Sequence, residues 1–203
     1  MISVSGVRGI VGDGLTPEVA MQFAQAYGSE FPGSIVVGRD SRVTGEMLKH
    51  AVWAGLQSVG CDVVDIDIAS TPTTAMVTER PDHSGGIILT ASHNPKQWNA
   101  LKLLAPDGLF LQQEQGDKIV ERVTSQHFAF ASWDRMGKIM TYKNASEEHV
   151  ASILDLPIMD VERIRSNAFK VVVDCCNGAG GTILPQLLDI LGCETIFINR
   201  EPN

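Results

Sequence analysis

A serine, a histidine and a lysine lie close together in the segment TASHNPKQWNALKLL, residues 90–104. An apolar run, GGIILTA, leads directly to Ser92, and Asn94-Pro95 then turns the chain, because proline disfavours a helical conformation in the residue before it. A serine hydroxyl can carry a phosphoryl group, and a lysine ammonium such as that of Lys102 can neutralise its charge. The residue types and their spacing therefore favour phosphate chemistry.

Two other interpretations of this segment compete with phosphate chemistry. A serine at a strand end can simply cap a polar hairpin turn, and His93 can be a loop histidine bonded to the backbone. A serine hydrolase is poorly supported, because the sequence has no G-x-S-x-G elbow and no recognisable motif for an acid that orients the base.

Short apolar runs alternate with helical patterns along the chain, which is typical of βαβ units and a mostly parallel sheet. Helices are predicted from Thr44 to Gly60 with Thr44 as N-cap, from Thr71-Pro72 onward, over 112–123 and over 182–192. Strands are predicted in SIVVG, CDVVDIDIA, SGGIILTAS, ALKLLAP, FKVVVD and CETIFIN. Ser92 would then lie at the carboxyl end of a strand, the edge of such sheets where ligands bind.

A less regular stretch over residues 124–145 and a break near residues 141–148 predict two domains, 1–145 and 146–203. The first is predicted to be a mixed, mostly parallel sheet sandwiched by helices. The second has two strands and one crossover helix, which is too little to close a core, so we expect an incomplete α/β domain. Its exposed apolar edge predicts self-association.

Composition narrows the class of protein. The 203 residues are 44% hydrophobic and 20% charged, with a net charge of -8, which argues against binding to nucleic acid or to an anionic membrane. No apolar run approaches the roughly 20 residues of a membrane span, and no secretory signal is apparent. The four cysteines lack paired metal spacing, so free thiols and a cytoplasmic location are expected.

The segment TASHNPKQWNALK resembles the phosphoserine loop of the α-D-phosphohexomutases, the family of phosphoglucomutase, phosphomannomutase and phosphoglucosamine mutase. That loop reads T-A-S-H-N-P, three variable residues, then N-G-x-K. This chain has Asn99-Ala100-Leu101-Lys102, with Ala100 in place of the usual glycine. If the glycine relies on a positive φ, Ala100 is unfavourable there.

Four further segments resemble the same family in the same order along the chain. They correspond to the N-terminal G-T-R-G-I, to G-R-D-x-R-x-S-G, to V-V-D-x-x-N-G-A-G and to P-D/N-G-x-F-P. In this chain they are SGVRGIVG, VVGRDSRVTGEML, VVVDCCNGAGG and INREPN. The resemblance thus covers the N-terminal portion of the family over nearly the whole chain.

The resemblance implies an enzyme that interconverts hexose 1-phosphate and hexose 6-phosphate through a phosphoserine and a hexose 1,6-bisphosphate. The sugar would be of the glucose, mannose or glucosamine type. Ser92 would carry the phosphoryl group and, through it, bind Mg²⁺. Phosphoryl transfer relies on positioning and on neutralising charge, and Mg²⁺ prefers hard oxygen ligands.

The resemblance also implies roles for individual residues. The catalytic residues would be Ser92, His93, Lys102 and Arg8, with Asn94, Arg39 and Asn99 binding phosphate. Alternatives remain for several of them. Arg8 and Lys102 could be solvated surface cations, and Arg39 could belong to an ion-pair network with Asp40. The turn CNGAGG could hold a phosphate, although a helix start with close packing is favoured over that role.

The motifs of the family's third and fourth domains, D-G-D-x-D-R, G-E-x-S/A-G-H and R-x-S-G-T-E-P, are not found in the sequence. We therefore expect this chain to be an N-terminal portion without domains III and IV, and to be inactive as a mutase by itself. The alternative is a non-catalytic module that binds phosphate or another chain.

Overall fold

The computed structural model describes residues 2–3 and 6–203, with side chains from residue 6 onward, so that Ser5 of the SGVRGIVG motif lies outside the described residues. The elements follow an α/β order. They are β1 (Ile2–Ser3), β2 (Gly6–Val11), β3 (Gly14–Leu15), α1 (Pro17–Glu30), β4 (Ser34–Arg39), α2 (Gly45–Ser58), β5 (Asp62–Ile68), α3 (Thr71–Thr78), β6 (Gly85–Leu89), β7 (Trp98–Leu104), α4 (Gln113–Ser125), β8 (Ile139–Thr141), α5 (Ala145–Leu154), α6 (Val161–Ser166), β9 (Lys170–Asp174), α7 (Gly180–Ile190) and β10 (Glu194–Ile198).

The larger sheet has the strand order β1-β2-β7-β6-β4-β5-β8, with β3 beside β2. Strands β6, β4, β5 and β8 are parallel, whereas β7 is antiparallel to both β6 and β2. The prediction of a mixed, mostly parallel sheet is confirmed. Strands β2 and β8 were not predicted: β2 is short and glycine-rich, and β8 has only three residues.

Alternation along the strands creates two apolar layers, because successive side chains point to opposite faces of a sheet. In β4, Ile35 and Val37 join the cluster beneath α1, α2 and α4. Val36, between them, joins the second cluster with Val77 of α3 and Ala145 of α5. The sheet is therefore covered by helices on both faces, and residues on its strands are fixed by the packing of both layers.

The helix starts agree with the predicted boundaries, including the N-cap position of α2 at Thr44. Ser70 caps α3, accepting a hydrogen bond from the Thr73 N–H at 3.2 Å, with proline in the first turn as predicted. Thr44 precedes α2 as predicted but makes no side-chain cap bond. Its hydroxyl instead accepts a hydrogen bond from Asn99 Nδ2 at 3.1 Å, which ties α2 to β7.

The C-terminal unit is a two-stranded parallel sheet of β9 and β10 joined by α7. Its strands alternate between half-buried and exposed residues, and Val172, Ile196 and Ile198 are on the exposed side. Among the helices of residues 2–3 and 6–203, none combines the length and apolar character needed to span a bilayer.

Candidate active site around Ser92

Ser92 lies where the sequence predicts it, on a turn just beyond the end of β6, and it is exposed. The end of β4 is beside it, since the Asp40 N–H bonds the Leu89 carbonyl at 2.9 Å. Ser92 has a φ of +55°, a left-handed conformation that is uncommon for a residue other than glycine. Such backbone strain persists only where the surroundings impose it.

Thr90 and Asp40 provide one of the restraints on Ser92. The Ser92 N–H donates to Thr90 Oγ1 at 3.1 Å, and that hydroxyl donates to Asp40 Oδ2 at 2.7 Å. The Asn94 N–H donates to the Ala91 carbonyl at 3.1 Å and closes the turn. The side chain of Ser92 is thus exposed to solvent, while hydrogen bonds to Thr90 and within the turn hold the backbone.

His93 is exposed next to Ser92, and its Nδ1 is 3.4 Å from the Ser92 hydroxyl oxygen. This contact is long for a hydrogen bond, but the imidazole is within reach of the one hydroxyl that the phosphate hypothesis needs.

Arg8 and Lys102 are brought together by strand register. In the antiparallel pair of β2 and β7, Arg8 is opposite Ala100 and Gly6 is opposite Lys102. Directly opposed residues share a face, so these four residues are on one side of the sheet, while Leu101 faces the core. The two cations are diagonal neighbours with only a glycine and an alanine between them.

The small residues leave a cavity of about 290 Å³ between the two cations and the Ser92 turn. Its lining includes Arg8, Ser92, His93, Asn94 and Lys102. An Arg8 Nη1–H donates to Asn94 Oδ1 at 3.3 Å, linking β2 to the turn. The structure therefore brings five predicted site residues around one cavity whose two cations suit an anionic ligand.

Two aromatic rings pack against these cations. The Lys102 ammonium is 5.6 Å from the centre of the Phe110 ring, and the Arg8 guanidinium is 6.0 Å from that of Trp98. Both distances allow cation–π attraction, which restricts where the charges lie. The Arg8–Trp98 pair joins segments that are ninety residues apart in the sequence, whereas Lys102 and Phe110 are eight residues apart.

Ala100 is in regular strand and has no positive φ, so the expected strain from the missing glycine does not arise. Its backbone N–H is bonded to Asn99 Oδ1 at 2.8 Å.

Asn99, which is predicted to bind phosphate, does not line the cavity. Its side chain is 0% exposed, and its Nδ2 and Oδ1 bond the Thr44 hydroxyl and the Ala100 N–H. The alternation of β7 turns it away from the face that carries Lys102. Asn99 is therefore a buried link between β7 and the start of α2.

Arg39 also lies outside the cavity, in an ion-pair network as the alternative held, although its carboxylate partners are Asp67 and Glu46 and not Asp40. Its Nε is 2.8 Å from Asp67 Oδ1, and the buried Lys49 contacts the same carboxylate at 3.2 Å. Burial acts to raise the pKa of Asp67, but Arg39 and Lys49 outweigh it and lower that pKa overall. The network is a structural cluster at the ends of β4 and β5.

Arg42 is the site residue that sequence reasoning missed. Its side chain is 13% exposed, and its guanidinium lies against the backbone of the Ser92 turn. Arg42 is the second arginine of the segment that resembles G-R-D-x-R-x-S-G, and this position in the motif is the sequence signal for it.

A wider cavity of about 900 Å³ lies between the Ser92 turn and the CNGAGG segment, with Cys176 and Gly178 in its lining. Asp174 raises the pKa of the exposed Cys176 thiol. Helix α7 begins at Gly180, and a Cβ on Gly181 would lie 2.1 Å from the Arg200 carbonyl oxygen. The start of α7 at Gly180 and the close approach of Arg200 to Gly181 agree with the interpretation of CNGAGG as a helix start with close packing.

Within residues 6–203, no group of three or more His, Cys, Asp or Glu side chains is placed to hold a metal ion. Asp40, the carboxylate nearest to Ser92 in the hydrogen-bond chain, is committed to Thr90 and Arg42. We therefore assign no Mg²⁺ ligand other than the predicted phosphoryl oxygen on Ser92.

Comparison with known proteins matches the chain to two family models. Residues 2–130 match phosphoglucomutase/phosphomannomutase, alpha/beta/alpha domain I, and residues 147–203 match alpha/beta/alpha domain II of the same family.

Curated relatives match over nearly the whole chain. A phosphoglucomutase/phosphomannomutase of Thermococcus kodakarensis is 40% identical over 204 residues, and a "probable phosphoglucosamine mutase" of Methanococcoides burtonii is 39% identical over 199. Each alignment covers 98% of this chain and 44% of the relative, so the chain spans less than half the length of these relatives.

A crystal structure of a phosphoglucomutase/phosphomannomutase family protein from Burkholderia thailandensis superposes with a TM-score of 0.80 at 27% identity. It covers 100% of this chain and 45% of that protein. The family models, the relatives and the fold agree, and the chain therefore belongs to the phosphoglucomutase/phosphomannomutase family, matching its domains I and II.

Proposed function

We propose that this chain is the phosphoryl-carrying part of a phosphohexomutase, with Ser92 as the carrier. The observation that carries the proposal is the cavity at the Ser92 turn, lined by an exposed hydroxyl, a histidine and two cations. The relatives are named as phosphoglucosamine mutase and phosphoglucomutase/phosphomannomutase, so the proposed substrates are hexose phosphates of the glucosamine, glucose or mannose type.

In the proposed reaction a hydroxyl oxygen of the hexose phosphate attacks the phosphorus carried by Ser92. The bond from phosphorus to Ser92 Oγ breaks as the bond to the sugar oxygen forms, which gives a hexose 1,6-bisphosphate. The bisphosphate turns around, and its other phosphoryl group returns to Ser92. The net result moves the phosphate between positions 1 and 6 and leaves the serine phosphorylated as before.

The flanking residues have separate tasks in this scheme. Arg8 and Lys102 neutralise the transferring phosphoryl group, and Lys102 exchanges the proton of the reacting sugar hydroxyl. His93, 3.4 Å from the Ser92 hydroxyl oxygen, gives or takes the proton of that oxygen. Asn94 holds Arg8 through its side-chain oxygen. Positioned charge of this kind is the main source of catalysis in phosphoryl transfer.

Mg²⁺ remains the proposed cofactor, with a phosphoryl oxygen on Ser92 as the ligand that this chain would supply. It would neutralise charge on the transferring group. Since the matched domains are I and II, we propose that the 203-residue chain does not turn over hexose phosphate by itself at the usual rates of enzymes, about 1–10³ s⁻¹.

The experiment is to incubate the chain with Mg²⁺ and the 1,6-bisphosphate of glucose, mannose or glucosamine, and then to map phosphorylation by mass spectrometry. We expect one phosphoryl group on Ser92 and none on the S92A variant. Equal labelling of both proteins, or none in either, would refute Ser92 as the carrier.

The second candidate is a non-catalytic phosphate-binding or interaction module of the same family. It is favoured only if the bisphosphate perturbs the nuclear magnetic resonance signals of residues around the 290 Å³ cavity while Ser92 stays unlabelled. Labelling of Ser92 would exclude this candidate.

A further inference from the structure

We infer that Arg42 is a positioning residue that fixes the conformation of the Ser92 turn and does not itself bind substrate. Its consequence for phosphoryl transfer depends on the proposed function of Ser92. Its effect on the turn does not, because it follows from the contacts of one guanidinium group.

A guanidinium has five N–H donors, and those of Arg42 all have protein acceptors. The Nε–H donates to Asp40 Oδ2 at 3.0 Å. Four bonds from the two terminal nitrogens go to backbone carbonyls of the turn: Nη2 to Ser92 and Asn94, each at 2.8 Å, and Nη1 to Pro95 and Trp98 at 2.9 and 3.0 Å. No N–H donor of Arg42 is left over for a phosphate.

The position of Arg42 supports the same conclusion. Arg42 is absent from the lining of the 290 Å³ cavity and lines the wider cavity instead. Ser92 borders both cavities, so a phosphoryl group that faces Arg8 and Lys102 would point into the smaller one, which Arg42 does not line. Because four backbone carbonyl oxygens accept hydrogen bonds from Arg42, their partial negative charges are directed toward Arg42 and away from the phosphate oxygens.

Asp40 connects the two groups that restrain Ser92, so that the hydrogen bonds form a closed ring. It accepts from Arg42, whose Nη2 holds the Ser92 carbonyl, and from Thr90, whose hydroxyl holds the Ser92 N–H. Both backbone polar groups of Ser92 are thus tied to the same carboxylate. This closed circuit gives a physical cause for the left-handed φ of +55° at Ser92.

Lysine cannot replace arginine in this role. Its ammonium has the charge but only three donors in a tetrahedral arrangement, whereas the carbonyls are arranged around a planar fork. The R42K variant therefore keeps the positive charge but removes the planar arrangement of five N–H donors. The matched control is R122K, because Arg122 also joins a carboxylate, that of Glu30, and a carbonyl, that of His127, far from the turn.

The first readout is native-state cleavage by trypsin after Lys96, which is exposed in the turn. Cleavage after Lys143, in the connection from β8 to α5, is the internal reference. Losing hydrogen bonds from a charged group should open the turn, so we expect R42K to raise the Lys96-to-Lys143 cleavage ratio about tenfold or more. The R122K variant should leave the ratio within about twofold of the unchanged chain, since its contacts are elsewhere. An unchanged ratio in R42K would overturn the inference.

The second variant, T90V, removes the hydroxyl between Asp40 and the Ser92 N–H without touching Arg42. We expect T90V also to raise the Lys96-to-Lys143 cleavage ratio, and this variant tests the inference if R42K fails to fold. A T90V ratio equal to that of the unchanged chain would contradict the circuit.

The second readout is the rate of phosphorylation of Ser92 by hexose 1,6-bisphosphate. A positioning role predicts that R42K lowers the rate at saturating donor about tenfold or more, while the half-saturating concentration changes less than about threefold. A raised half-saturating concentration at an unchanged maximal rate would make Arg42 a ligand and refute the inference. If the unchanged chain takes no phosphoryl group, the proposed function fails, and the cleavage ratio still tests Arg42.

Discussion

At the scale of single residues, Ser92 combines an exposed hydroxyl with an unfavourable backbone conformation. A left-handed conformation costs an L-residue about 1–2 kcal/mol, and here it is imposed by the hydrogen bond that the Ser92 N–H donates to Thr90 and by the one that the Ser92 carbonyl accepts from Arg42. Strain of this kind is common at functional sites because it presents a group that a relaxed turn would not. The strain can be measured separately from the chemistry.

Replacing Ser92 by glycine or by alanine separates the backbone strain from the chemistry of the hydroxyl. Glycine adopts a positive φ without cost but loses more chain entropy on folding, so S92G should be about 1 kcal/mol more stable than S92A. Urea denaturation of both variants gives this difference. Equal stabilities would mean that the left-handed conformation is not maintained in solution. Neither variant should accept a phosphoryl group.

Lys102 gives a second prediction at this scale. Its ammonium is beside the cavity and near the Phe110 ring, and it is not part of the buried core. K102Q should reduce phosphorylation of Ser92 by about 10²–10³-fold, the usual effect of losing one stabilising donor. The unfolding free energy should stay within about 0.5 kcal/mol. The control is K118Q on α4, and a similar loss of rate in that variant would contradict the local role of Lys102.

At the scale of elements, the site depends on the antiparallel insertion of β7 between β2 and β6. Strand β2 brings Arg8, β7 brings Lys102, and the turn from β6 to β7 carries Ser92. The alternation of ALKLL puts Leu101 and Leu103 in the core and leaves Ala100 and Lys102 on the other face. Packing of the core therefore sets the positions of both cations.

Ala100 tests this account of β7. It is 4% exposed and in extended strand, so A100G, which restores the residue usual in the family loop, removes a buried methyl and adds backbone freedom. We expect a loss of about 1–2 kcal/mol in unfolding free energy. Thermal and urea denaturation measure it. A gain in stability would show that position 100 prefers a glycine conformation.

At the scale of the whole molecule, the sheet of β9 and β10 has one exposed apolar face. Val172 is 68% exposed and Ile196 is 59% exposed, with Ile198 beside them. Contiguous apolar surface on a sheet favours association, whereas a single exposed apolar residue such as Val43 does not.

We therefore expect the 203-residue chain to self-associate through this face. Sedimentation equilibrium should show a mass that rises with concentration, and the double variant V172T/I196T should shift the equilibrium toward monomer. The V43T control should behave as the unchanged chain does, since Val43 is not on the face formed by β9 and β10. A monomer at all concentrations in the unchanged chain would contradict the prediction.

The sequence alone determined the alternation of strands and helices and the edge of the sheet that carries Ser92, and it singled out Ser92 as the proposed carrier. These features depend on local periodicity, on turn residues such as Asn94-Pro95 and on a contiguous motif, all of which can be read within a short window. The predicted starts of α2 and α3, at Thr44 and Thr71-Pro72, agree with the structure for the same reason.

The tertiary structure alone decided which polar residues meet. Asn99 and Lys102 are three residues apart, yet strand alternation buries the first and leaves the second at the cavity. Arg39 and Arg42 are equally close in sequence, but one joins the ions at β5 and the other holds the Ser92 turn fifty residues away. A sequence pattern does not specify such contacts, because they arise from strand pairing and from which side of each strand the core occupies.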